Sequence, residues 1–285
     1  MSAIDPARET WQERMRAVGS LWLCWLVVYL LSESVLYLLV ARGAALAQDL
    51  SLAADSTVAA ASGPILEKLS AAAAPLTLQI GLVNTLALLV CFSLMPLMRA
   101  MADPKPRGHR AERLDRLMWT SPLLRWTNYF AYVLWPMPTF RRTPTLRLKG
   151  LCAFGVLPYL LPVLLGLQAG FVGGGHTQAD RLEHPVAVVL LGLSLVLPHG
   201  LLELTGLFIP IAALLQYYRA IQPKLVAGDL DGVSAALHEH GTWREARRWL
   251  PLTLVLVAVA AVIEANLTLP FADRVASLLG LAPRG

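Results

Sequence analysis

Apolar residues gather in five long blocks, each of the length an α-helix needs to cross the ~30 Å of bilayer hydrocarbon. The blocks cover about 18–40, 76–97, 151–172, 185–218 and 250–269. The fourth is too long for one straight crossing, and Pro198, Gly200 and Pro210 interrupt it. Proline removes a backbone donor and crowds the preceding turn, so a kink is expected there, with Pro198 and Gly200 as the helix break. Pro158 and Pro162 predict a bend in the third block as well. The expected fold is all-α: a polytopic transmembrane helical bundle forming a single membrane domain over 1–285, with about five spans and interfacial amphipathic helices.

Composition agrees with that reading. Hydrophobic residues make up 56% of the 285 and charged residues only 15%, where a soluble domain carries roughly a quarter charged. The net charge of +5 does not point to nucleic acid, because the basic residues lie between apolar blocks rather than on one solvated face. They act instead as topology signals. Eleven Lys and Arg fall within 99–149, from Arg99 to Lys149, and more lie in the N-terminal tail (Arg8, Arg14, Arg16) and between the fourth and fifth blocks. The intervening loops are poor in them, so the segment 99–149 is expected in the cytoplasm and the N-terminus with it, in a multi-pass protein of the bacterial inner (cytoplasmic) membrane.

Other segments add less. Ala45-Leu46-Ala47 resembles a signal-peptidase site, but the preceding apolar run is longer than a signal h-region, so a retained helix is expected. Within 99–149, Trp119, Trp126, Tyr129, Phe130, Tyr132 and Trp135 crowd beside arginines, a pattern suited to the headgroup region or to a docked partner. Cys24, Cys91 and Cys152 all lie in apolar stretches, which argues against a disulfide framework or a cysteine zinc site.

Ionisable groups inside the spans carry the chemistry. Glu33, Glu203, Glu264 and His199 lie within apolar blocks, where an ionised group costs at least ~2.5 kcal/mol, so they should face protein or a hydrated cavity. His199 and Glu203 are four apart and share one helical face. They could bond across helices, line a proton, ion or solute pathway, or bind metal. Because HxxxE supplies only two ligands, no metal site and no cofactor are assigned; Glu264 becomes a third ligand only if the fourth and fifth spans pack together. Glu33, flanked by serines and by Tyr29 and Tyr37, and Asn84 in the second span complete the intramembrane polar set. Gly166, Gly170 and Gly174 form a small-xxx-small ridge for helix packing, within the chain or between two copies. No phosphate loop, GxSxG or solvated carboxylate pair is present, and no catalytic residue is assigned.

Two separated motifs resemble one family. Pro198-His199-Gly200-Leu201-Leu202-Glu203-Leu204 is similar to the PHGxxEL signature of the stage II sporulation protein M family, and Ile263-Glu264-Ala265-Asn266-Leu267-Thr268-Leu269-Pro270 resembles its IEA-x-x-T-x-P ending. A weaker likeness covers Gly155-Val156-Leu157-Pro158-Tyr159. The resemblance implies membrane-complex work beside cell-wall hydrolases, bacteriocin export systems or transporter components, and it gives the matching residues no catalytic role. The long basic insertion at 99–149 departs from the shorter family members, so no sporulation role is implied.

The favoured function is a non-enzymatic membrane subunit or scaffold of a bacterial envelope or export complex. Its partners would be the lipid bilayer and other membrane proteins or a second copy of the chain, with no nucleic acid. The alternatives are a permease-like component moving a proton, ion or apolar solute, and an intramembrane metal-dependent hydrolase.

Overall fold

In hydrocarbon an unbonded N–H or C=O has no water to turn to, so a long apolar run satisfies its backbone as helix. The structure, a computed structural model, describes residues 11–41, 75–103, 137–144, 146–176, 185–239 and 242–280, with short pieces between 52 and 68. Among these the helices are α1 (Trp11–Ala41), α2 (Leu76–Ala102), α3 (Pro138–Arg142), α4 (Leu146–Cys152), α5 (Leu157–His176), α6 (Pro185–Ala227), α7 (Leu230–Glu239), α8 (Thr242–Asn266) and α9 (Thr268–Leu278). Four are long and apolar enough to span a membrane, and the pair Leu148–Gly155 and Leu157–Phe171, bent by 44°, makes a fifth if it is one broken span. The aromatic segment from Trp119 to Trp135 and Ala45-Leu46-Ala47 lie outside the described residues.

One expectation about proline is corrected, the break at Pro198 and Gly200. The fourth block is one helix of 43 residues, and its helical backbone continues through Pro198, Gly200 and Pro210. Each proline costs one hydrogen bond, while the turns on both sides are complete enough to carry the helix across. At 1.5 Å per residue α6 is roughly 64 Å long, about twice the hydrocarbon thickness. The excess length is carried by one continuous helix. In the third block the expected bend is present, 44° at the 3-10 turn Ala153–Gly155, in the turn just before Pro158 where a proline disrupts a helix. Pro158 occupies the first turn of α5, where its missing N–H is no loss. The turn itself needs Gly155, since a Cβ there would run into the Tyr218 ring.

Contacts divide the chain into two units. One comprises residues 1–17, 90–160 and 210–249. In it Trp11 stacks on Trp249 with ring centroids 5.2 Å apart, and the buried Arg14 places its guanidinium 5.3 Å from the same Trp249 ring. Gln222 on α6 donates to Thr139 Oγ1 on α3 at 2.7 Å. Gly228, at φ 77°, ends α6 with the 6→1 bond from Asp229 N–H to the Lys224 carbonyl, and Asp229 then caps α7 by accepting from the Gly232 N–H at 2.7 Å. His238 hydrogen-bonds the Arg99 guanidinium.

The second unit comprises residues 18–89, 161–209 and 250–285, and its helices meet at small residues. A Cβ at Gly166 would lie 2.8 Å from the Trp25 carbonyl, and one at Gly170 would strike Ser32, so this ridge of α5 packs on α1 within the chain. Ser32 Oγ donates to the Gly166 carbonyl at 3.3 Å across the same contact. Gly192 on α6 faces Tyr29 and Glu33 of α1, Gly206 on α6 faces Thr253 and Val257 of α8, and Gly81 on α2 faces Ala261 of α8. Gly174 continues the α5 backbone beyond the two packed glycines. Large apolar side chains of these helices point outward, among them Leu23, Leu31, Val255 and Leu269. Such a surface suits acyl chains rather than water.

Candidate functional site

The helical repeat puts His199 and Glu203 one above the other on α6. Close approach at Gly206 brings α8 beside that face, and Glu264, near the α8 C-terminus, reaches it. One ligand atom from each of His199, Glu203 and Glu264 lies within 4.8 Å of the others. His199 Nε2 is 4.0 Å from Glu264 Oε2, with the side chains 15% and 34% exposed, so the group is half-buried rather than sealed.

A turn at Leu267 supplies the fourth member. The Leu267 N–H bonds the Ile263 carbonyl at 2.8 Å, and Asn266 Nδ2 donates to the Val262 carbonyl at 2.8 Å, so the α8 terminus keeps its carbonyls occupied. The chain then enters α9, whose first residue, Thr268, is buried. Its hydroxyl lies 3.1 Å from His199 Nδ1 and 3.4 Å from the Ile263 carbonyl. Ala272 and Ala276 continue the Thr268 face of α9 and pack against Leu191 and Leu195 of α6. Thr268 is thus held in place from both sides, by the turn before it and by the packed helix after it.

The remaining candidates fall around this group. Asn84 of α2 faces Glu203, although its buried Nδ2 has no hydrogen bond of normal geometry. Glu33 lies apart: it faces Gly192, seven residues before His199, or roughly 10 Å along the α6 axis. It is 2% exposed, accepts a long 3.4 Å hydrogen bond from the Tyr29 hydroxyl, and leaves Oε2 without a partner. Pro198 and Gly200 flank His199 within an intact helix, so they shape its surroundings without opening the backbone.

Sequence reasoning missed Thr268. The signal was present as the threonine of the IEA-x-x-T-x-P motif, four residues after Glu264. Read as part of a straight final span, it had no reason to turn toward His199.

Residues 145–269 match the family model described as stage II sporulation protein M. Over this segment the chain is similar to the SpoIIM family. It contains His199, Glu203, Glu264 and Thr268, whereas Asn84 and Glu33 lie before it. The polar group is therefore built mostly from the SpoIIM segment, with one amide added from α2. No curated protein and no solved structure matches the chain.

Proposed function

We propose that this SpoIIM-type membrane protein is a non-enzymatic subunit or scaffold of a bacterial envelope or export complex. The inward use of its polar groups supports the reading most. His199, Glu203, Glu264 and Thr268 face one another where α6, α8 and α9 meet, while outward positions on the same helices, such as Val255, Val262 and Leu269, are apolar. An arrangement of this kind sets the relative placement of helices and leaves their outer surfaces to lipid and to neighbouring proteins.

The same reading places the protein in the inner membrane with its N-terminus in the cytoplasm. Arg14 and Arg16 in the first turns of α1, Arg99 at the end of α2, and Arg247 and Arg248 early in α8 support it. Each lies at the helix end that an alternating topology puts on one side.

Two measurements on the same preparation test the function. Extracted from native membranes in mild detergent, the chain should migrate as part of a larger complex, and Glu203→Gln should reduce that fraction. Reconstituted alone into liposomes, it should move protons and monovalent ions no faster than empty vesicles do. Flux above that background, stopped by Glu203→Gln, contradicts the scaffold and establishes the permease.

A further inference from the structure

The Thr268 hydroxyl lies between the Ile263 carbonyl, at 3.4 Å, and His199 Nδ1, at 3.1 Å. With its hydrogen on the carbonyl, the oxygen accepts from Nδ1–H, the tautomer in which Nε2 carries a lone pair on the Glu264 side. A carboxylate oxygen of Glu264 and one of Glu203 converge with that nitrogen, all within 4.8 Å of one another. Three electron-pair donors directed at one point repel unless a positive charge lies among them.

We propose that His199 Nε2, Glu203 and Glu264 bind a divalent transition cation of the zinc class, with Thr268 as the partner that orients the imidazole. Three features support it. The donor set is mixed, one imidazole nitrogen with two carboxylates, which suits zinc, manganese or iron better than it suits an all-oxygen calcium site. Charge balances: two carboxylates and a neutral imidazole cancel a dication, so the loaded site carries no net charge into the apolar layer. Size fits: atoms within 4.8 Å of one another share a point no more than about 2.8 Å from each, and small side-chain rotations close this to zinc bonds of ~2.0–2.2 Å.

The surroundings match what such a site needs. A metal-bound imidazole normally gives its other N–H to an oxygen acceptor, the part Thr268 plays here. Asn84, whose buried Nδ2 faces Glu203 without a hydrogen bond of normal geometry, is placed to orient that carboxylate. Three protein ligands leave a fourth position open. The expectation from HxxxE alone was of two ligands and no metal. The packing of α8 on α6 brings in the third.

The site goes beyond the subunit reading and does not depend on it, because metal uptake is measured on the purified chain and complex membership in native membranes. The full chain, purified in detergent and stripped with chelator, is titrated with Zn²⁺ alone by calorimetry. Saturable uptake of one Zn²⁺ per chain is expected. Glu264→Gln and Glu203→Gln should abolish it, Thr268→Val should weaken it about tenfold with unchanged stoichiometry, and Glu33→Gln should leave it intact. Co²⁺ in place of Zn²⁺ should give visible absorption bands that Glu264→Gln removes. If the glutamine variants do not fold, the wild-type Co²⁺ bands and the Thr268→Val titration decide. Absence of saturable uptake by the folded chain, as for a cluster sharing only a proton, overturns the proposal, as does uptake undiminished in folded Glu264→Gln.

Discussion

At the scale of single residues, the hydrogen bond between His199 and Thr268 is the contact most exposed to test. It joins α6 to α9 across 69 positions of sequence. Interhelical hydrogen bonds in membranes contribute about 0.6 kcal/mol on average and up to ~1.7. Thr268→Val keeps the shape and removes the hydroxyl, so it should destabilise the purified protein by about 0.5 to 2 kcal/mol, measured as a lower unfolding midpoint in detergent. The pairing of His199 with Glu203 was legible from spacing alone, because four residues on a helix return to the same face. The approach of Glu264 was legible only as a condition, since nothing local says which helix packs beside α6. Thr268 was hidden for a different reason. Its role depends on the chain turning at Leu267, and the apolar pattern runs through that turn without a break.

Among the helices, close approach is set by glycine, and the consequences are specific. Gly166 and Gly170 lie against the α1 backbone, so Gly170→Leu should separate α5 from α1 and cost on the order of 1–3 kcal/mol, again read from unfolding in detergent. Gly206 and Leu256 offer a geometric test, because a Cβ built at Gly206 lies 3.6 Å from the Leu256 Cβ. That is within the range of disulfide-bonded cysteines, ~3.5–4.5 Å. In a background where Cys24, Cys91 and Cys152 are replaced, Gly206→Cys with Leu256→Cys should oxidise to an intramolecular disulfide in native membranes, visible as a mobility shift that reductant reverses. Helix positions were well marked by apolar length, and the small-residue ridge of α5 by its spacing of four. Proline was an uneven guide. Pro198 sits inside a continuous helix, while the bend of the third block falls at Ala153–Gly155, in the turn just before Pro158. The return helix α9 was missed because it is short, carries Asp273 and Arg274, and buries only the small residues Thr268, Ala272 and Ala276. An apolar-window reading has nothing to register there.

For the molecule as a whole, composition alone separates this chain from soluble proteins, and helices with outward-facing Leu and Val complete that conclusion. The account adds that polar groups on α6, α8 and α9, all in the SpoIIM segment or at its edge, hold those helices to one another. If so, His199 and Glu264 must be energetically coupled and not merely near. A double-mutant cycle on thermal unfolding of the purified chain measures this directly, comparing His199→Ala, Glu264→Ala and the double variant with the parent. Residues in contact give coupling energies of about 0.5 kcal/mol or more, and the account predicts a value in that range. Losses that add to within about 0.3 kcal/mol would show that the two side chains act independently and that no polar centre joins the helices.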